Sequence, residues 1–403
     1  MERTIIRVVP KRIDLGKGLF LRILICGYFA LSVFEPYLNG LLGSLTKYYI
    51  FGLMVLLVVA HQFIELTAIH GVFITWLCYK FISLLWSEDF TIPQMHWVSQ
   101  IGMVAFLCVL LAIKHDKKTI EAIKLTYMLS SGGLGVLALF FSDAYQGTVE
   151  FRQVLTIFGI EIDPNNLAAL MLIGISISLG FIFYEKRFML LSVGVVAINT
   201  IGCFRSGSRA GLVTAVCLLI VCLVIGNKQQ SAASTMKRLL LVAAVIAVIY
   251  FVTVKFVSSE TLDRLFNFGE YEDGSGRMFT WINIWEYYTR NVFSVLFGSG
   301  WGSATVHTGS GSIVHNTFLT MLCDVGLVGS IVFFAPIVYV SIKLLKERNM
   351  VPLMVFAAGM VPSFFIDAIN KRFFWNAIII LFVYYNYNTK KSVECWNQDI
   401  EVK

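Results

Sequence analysis

The chain of 403 residues is 57% hydrophobic and only 14% charged, far from the mixture with which a soluble domain covers its surface. Its net charge of +7 is scattered over short basic segments, which argues against nucleic acid as a partner. Of its eight cysteines, seven fall in apolar runs and Cys395 in the polar tail, so neither a disulfide framework nor a zinc spacing is present.

Apolar runs long enough to cross roughly 30 Å of hydrocarbon as helices recur from end to end. They predict about twelve spans, near 18–36, 46–61, 66–86, 95–114, 122–142, 164–184, 188–204, 210–226, 239–257, 314–343, 351–367 and 373–388. The expected fold class is all-α, a polytopic membrane protein of about 12 transmembrane helices with one long helical outer loop. MERTIIRVVPKRIDLGK, KHDKK at 114–118, EKR at 185–187, Lys228 with Lys237-Arg238, KLLKER at 343–348 and NTKK at 388–391 all fall on one face when the spans alternate. The positive-inside rule makes that face, and both termini, cytoplasmic. The basic start lacks a small-residue cleavage site and leads into a long apolar run, so the first helix is read as uncleaved. Three parts follow: residues 1–257 as an N-terminal membrane bundle of about nine spans, 258–313 as the outer loop, and 314–403 as C-terminal spans with a cytoplasmic tail.

A loop of about 55 residues between membrane helices is long enough to hold helices of its own. Within it, SGRMFTWINIWEYYTRN has Ser275 as an N-cap and an apolar face of Met278, Phe279, Trp281, Ile282 and Trp285, which predicts a helix lying along the membrane surface. The outer basic residues are nearly all arginine: Arg152, Arg205, Arg209, Arg264, Arg277 and Arg290, with Lys371 and Arg372 at the last outer turn. Positive charge is disfavoured on that side, and a bound phosphate, matched by the planar guanidinium fork, would explain it. The alternative is that each arginine snorkels or pairs with Glu260, Asp263, Glu270, Glu272, Asp273 or Glu286. That alternative is weaker for RSGSRAG at 205–211, where two arginines on a small-residue turn sit against a span.

HNTFLTMLCDVGLVG at 315–329 begins an apolar segment with a proton-transfer residue. At about 100° per residue, His315, Leu319, Leu322, Gly326 and Gly329 form one stripe, and glycines there permit close helix contact. His315 is therefore expected at the top of the packed face, at the outer boundary. Asp324 lies about 180° round and roughly 13 Å deeper, as a functional group or as a hydrogen-bonded partner of a serine or of Lys80. One histidine with several arginines, no metal-ligand set and no nucleotide loop suggests a base that activates a hydroxyl while a phosphate leaves. His307 competes as the base, but its Gly/Ser surroundings make it the less preorganised of the two.

His315-Asn316, nine residues, Gly326, two residues and Gly329 resemble the H-N-x9-G-x-x-G signature of the O-antigen polymerase and ligase superfamily, the Wzy and WaaL proteins. DPNN at 163–166, SRAG at 208–211, LLWSED at 84–89, and GRMFTW followed by LFGSGWG agree with it. The resemblance implies a GT-C-like integral-membrane glycosyltransferase in the cytoplasmic (inner) membrane of a bacterium, with its active site on the outer face. It implies a glycan on undecaprenyl pyrophosphate as donor, and no nucleotide sugar, metal or other cofactor. Carried onto this chain, His315 is the general base or orienting group, and Arg209 and Arg277 hold the pyrophosphate. Arg205, Arg290, Asn316, Asp163 and Asn165 are candidate substrate-binding residues. The implied partners are lipid-linked glycans and membrane lipids, with flippase and chain-length regulator proteins as candidates. The expectation is a polymerase that joins lipid-linked repeat units into surface polysaccharide; a ligase, which moves the glycan to lipid A–core, is the alternative. A transporter or flippase is disfavoured because the two halves do not repeat and the polar cluster lies in one outer loop.

A cysteine introduced at Ser310 should react with an impermeant thiol reagent in intact cells with a permeable outer envelope, and one at Ser231 should be protected. The reverse pattern would invert the topology.

Overall fold

The computed structural model describes residues 4–7, 18–60, 63–144, 153–224, 277–308 and 313–401, together with single positions between 236 and 251. Most of the span expected at 239–257, as well as Arg152, Arg264, the acidic residues between 260 and 273, and Ser275, lie outside the described residues.

Helices dominate, and their bounds follow the apolar runs. In chain order they are α1 (Leu19–Leu42), α2 (Leu45–Ala60), α3 (Ala68–Ile82), α4 (Thr91–Ala112), α5 (Lys117–Phe140), α6 (Pro164–Gly180), α7 (Met189–Arg205) and α8 (Arg209–Val224). After the undescribed stretch come α9 (Arg277–Thr289), α10 (Val292–Phe297), α11 (Ser303–Val306), α12 (Thr317–Lys346), α13 (Met350–Met360) and α14 (Arg372–Glu401). Among the described residues six helices are long and apolar enough to cross a membrane: α1, α3, α4, α5, α6 and α12. The apolar helices α2, α7, α8 and α13 are shorter.

The all-α expectation needs one amendment. Two small antiparallel sheets join loops at the ends of the bundle: β1 (Thr4–Arg7) with β2 (Phe63–Leu66), and β3 (Ser142–Ala144) with β4 (Gln153–Ile157) and β5 (Ile160–Glu161). The β4–β5 turn is Phe158-Gly159, both at positive φ (53° and 74°), as a two-residue hairpin turn requires. Strands this short carry too few alternations to stand out in an apolar sequence.

The centre of the bundle is α6, in which every residue except Asn166 is buried. A helix apolar all round can be enclosed without loss, and α5, α7, α8 and α13 pack against it. Small residues set the spacing: a side chain at Gly174 would overlap Ser131 of α5. Asn199 of α7 donates to Ser131 Oγ and to the Met171 carbonyl, both at 3.3 Å, and so ties three helices together. At one end of the bundle charges pair between helices, as Arg22–Asp116 (3.0 Å), Arg187–Glu121 (2.9 Å) and Lys124–Glu185.

The opposite end is organised around a break in α12. Gly326 takes φ 68°, ψ −171°, so the helix is interrupted there rather than continuous from 317 to 346. A break at membrane depth exposes main-chain carbonyls that need partners. The segment after α10 supplies them: Ser299 N donates to the Cys323 carbonyl (2.7 Å) and Gly300 N to that of Asp324 (3.0 Å). The approach is so close that a Cβ on Gly326 would lie 2.4 Å from both Gly298 N and Leu296 O. The uninterrupted stripe expected through His315, Gly326 and Gly329 is therefore corrected. Gly326 serves a left-handed break, whereas Gly329 makes room for Tyr79 of α3.

Gly326→Ala should lower stability by more than about 2 kcal/mol, since strain and main-chain overlap coincide. Gly102→Ala, in α4 with nothing within 4 Å of the added carbon, should be tolerated. Detergent-solubilised yield and thermal unfolding check the pair; equal stability of the two variants would contradict this account of the break.

Candidate active site

The β4–β5 hairpin delivers the chain to Asp163, whose carboxylate caps α6 by accepting from Asn165 N (2.9 Å) and Asn166 N (3.1 Å), with Pro164 in the first turn. Asn165 turns inward and is buried; its Oδ1 accepts from Ser208 Oγ (2.9 Å), which in turn accepts from Gly211 N (3.1 Å). DPNN and SRAG thus interlock. Asn165, expected to bind substrate, holds the α7–α8 turn against α6 through its Oδ1. That turn presents Arg209 as the first residue of α8 and Arg205 as the last of α7, both half-buried, and the Arg205 guanidinium donates to the Leu139 carbonyl of α5.

Beside Asp163 opens a cavity of about 460 Å³, lined among others by Glu35, Lys47, His96, Asp163, Lys371 and Arg372. It is polar and carries both signs of charge. Arg372 was expected to answer to an anion from outside, but it is buried and its Nε donates to Glu35 Oε2 at 2.6 Å, so a carboxylate of α1 neutralises it. Lys371 remains exposed.

Helix α9 appears where GRMFTWINIWEYYTRN predicts it. It packs through Thr280, Ile284 and Tyr288 and leaves Met278, Phe279, Ile282 and Trp285 exposed. Arg277 is its first residue. Trp281 Nε1 donates to the Val314 carbonyl (2.9 Å) and Asn283 Nδ2 to that of Thr308 (3.3 Å), so α9 pins the chain on both sides of residues 309–312. His315 follows at φ 53°, outside the helix and in a conformation that few non-glycine residues adopt. It does not top a helical stripe. Asn316 is the N-cap of α12, its Oδ1 accepting from Phe318 N (3.1 Å) and Leu319 N (3.0 Å), a use that competes with the substrate contact expected of it. Thr317 Oγ1 then bridges the Ile366 carbonyl and Ala368 N, both at 2.7 Å, which joins His315's neighbours to the turn that carries Lys371 and Arg372.

Asp324 also finds a role. Its Oδ1 accepts from Ala304 N (3.1 Å), holding α11 down, and it faces Lys80, whose ammonium lies 4.5 Å from the Trp301 ring centre. The hydrogen-bonded partner expected for it was a serine or Lys80, whereas the bond it accepts here is from the Ala304 amide, with Lys80 near enough to act by charge.

The residue that sequence reasoning passed over is Glu88. Tyr287 Oη and Arg290 donate to its Oε1, and His307 Nε2 lies 2.7 Å from its Oε2. Tyr287 and His307 stack at 3.4 Å, and Arg290 lies 3.9 Å over the Tyr287 ring. Burial would raise the Glu88 pKa, but the bonds from Tyr287 and His307 and the nearby cations outweigh it and hold the carboxyl below its ordinary range. Burial first, and then the bond to Glu88, push the Tyr287 hydroxyl up to about 12. Two expectations change: Arg290 is paired, though not with an acid of its own loop, and His307 is held by Glu88 and by the Tyr287 ring rather than loosely. The available signal was an acidic pair next to a tryptophan in a short turn, in LLWSED.

Contacts therefore gather Glu88, Asp163, Arg205, Arg209, His307, Asn316 and Arg372 at one end of the bundle, away from the Arg22–Asp116 end. Across the second half of that arrangement, from α7 through the break in α12, the O-antigen ligase family model matches residues 194–334. Residues 194–334 belong to the O-antigen ligase family. The curated proteins contain no match to the chain. The O-antigen ligase segment takes in SRAG, α9, the LFGSGWG docking segment and the H-N-x9-G-x-x-G signature, whereas Glu88 and DPNN come to it from outside the matched residues. The match makes this part of the chain similar to the O-antigen ligase family, and the six helices long and apolar enough to cross a membrane agree with a multi-pass membrane protein.

If Asn165 is a packing residue, Asn165→Ala and Ser208→Ala should each cost about 1–3 kcal/mol, and the double variant should cost little more than either. Thermal unfolding of the four proteins tests the coupling; additive losses would separate Asn165 from Ser208 and restore the substrate-contact reading.

Proposed function

We propose that the protein transfers a glycan from undecaprenyl pyrophosphate to a sugar hydroxyl at the outer face of the cytoplasmic membrane. The observation that carries this reading is the docking of LFGSGWG onto the broken α12. The histidine-bearing start of the family signature then lies at the same end of the bundle as the arginines of RSGSRAG. The donor already carries a good leaving group, so the enzyme's task is to position two lipid-linked substrates and stabilise developing negative charge. In this reading Arg209 and Arg277 hold the pyrophosphate, Arg205 assists, and His315 meets the acceptor hydroxyl as base or orienting group. The exposed apolar side chains of α9 lie in the lipid interface, and the complete bundle crosses the membrane about twelve times with both termini inside. The chemistry calls for neither a nucleotide sugar nor a metal.

The acceptor is a second lipid-linked repeat unit, which makes the protein a polymerase of O-antigen or another surface polysaccharide. The ligase reading is favoured by the description of the matching family. Deleting the gene and running the surface glycan on a gel separates the two: single-repeat lipopolysaccharide marks a polymerase, and glycan retained on its lipid carrier marks a ligase.

With purified protein and lipid-linked substrates in detergent, His315→Ala should reduce transfer by about 10²-fold or more without loss of folded protein. Arg209→Lys and Arg277→Lys should also impair it, because an ammonium keeps the charge but not the planar two-point contact. Full turnover by His315→Ala, or dependence on a divalent metal, would remove the mechanism.

A further inference from the structure

The Glu88 cluster is more elaborate than a surface ion pair. Both carboxylate oxygens are engaged, and each group that engages them is itself fixed. The chain around Glu88 is tied to the docking segment by Ser87 Oγ to the Trp301 carbonyl (2.7 Å) and by Glu88 N to Ser303 Oγ (3.1 Å). The chain beyond His307 is tied to α9 through Asn283 and the Thr308 carbonyl. Tyr287 covers one face of the imidazole. Among the described residues, Glu88 from the α3–α4 turn and Tyr287 from α9 contact His307, and Arg290, just past α9, bonds the same carboxylate and lies over Tyr287.

An ionised carboxylate on Nε2 requires that nitrogen to carry the hydrogen, which leaves the lone pair on Nδ1. The His307 side chain is 29% exposed, so the ring is fixed in orientation yet open to a substrate. A carboxylate–imidazole pair with one ring nitrogen left over is the arrangement of a general base.

We propose that His307, oriented by Glu88, takes the proton of the acceptor sugar hydroxyl in the transfer reaction. This rests on the function proposed above and divides the work between two histidines. The hydroxyl oxygen bonds to the anomeric carbon of the donor, and the bond from that carbon to the pyrophosphate oxygen breaks with its electron pair leaving on the pyrophosphate. The hydroxyl proton passes to His307 Nδ1 and from there to water. His315 then orients the hydroxyl rather than deprotonating it, and Tyr287 and Arg290 are positioning residues that act through Glu88.

The test uses the full-length protein in detergent and the undecaprenyl-pyrophosphate-linked glycan extracted from source cells that lack the protein. Transfer rate is followed against pH, and binding of the same lipid by quenching of tryptophan fluorescence. His307→Gln should bind the lipid as the wild type does, lose about 10²–10⁴-fold in rate near neutrality, and lose the acidic limb of the wild-type profile. Glu88→Gln removes a negative charge beside the imidazole, so its acidic limb should move to lower pH while its rate falls about tenfold. A His307→Gln rate within threefold of wild type, with the acidic limb in place, overturns the assignment of the proton to His307. Should that variant fail to fold, an unmoved limb in Glu88→Gln overturns it instead. Failure of the wild type itself to bind or turn over the lipid-linked glycan would refute the broader function, a different outcome from either of these.

Discussion

The segment that follows α10 is held to the helical bundle by main-chain hydrogen bonds at a broken helix. Interrupting α12 at Gly326 releases carbonyls that hydrocarbon cannot satisfy, and the amides of Ser299 and Gly300 meet them. The position of α11, the orientation of His307 and the pairing of Glu88 all follow from where that segment lands. The buried Asp324–Ala304 bond and the Lys80–Trp301 contact secure the same junction from below. Because two glycine backbones meet face to face, the junction has little room to adjust.

Around that junction the bundle divides its labour. The enclosed helix α6 and the small residues packed on it supply apolar burial, and ion pairs fasten the end marked by Arg22 and Asp116. At the other end, polar groups are neutralised one by one: Arg372 by Glu35, Asp163 by the amides of α6, Arg290 by Glu88. These charges are therefore structurally engaged, while Lys371 lies exposed on the lining of the cavity beside Asp163.

The helices were legible because an apolar run of the right length admits few alternatives in a membrane, and the described ones lie close to where hydropathy puts them. The loop helix α9 was legible too, since its aromatic spacing has a helical period. The break at Gly326 was not. Projecting residues at a constant angle assumes an unbroken helix, and the assumption put His315 on a stripe it does not occupy. Glu88 stayed hidden for another reason: its partners Tyr287, Arg290 and His307 are about 200 residues away in sequence, and nothing local in LLWSED announces them. The short hairpin before Asp163 was lost among apolar neighbours.

Attachment through the backbone has a consequence for how such a protein can diversify. Amides and carbonyls are the same whatever side chains flank them, so beyond the glycines that must be bare and the few side chains that brace the junction, such as Asp324, Lys80 and Trp301, this attachment asks little of its neighbours. The side chains exposed on α9 and α10 could therefore be exchanged while the rigid joint between this segment and α12 kept its shape. The arrangement around Glu88 and His307 would then be inherited intact as the exposed surface beside it drifted.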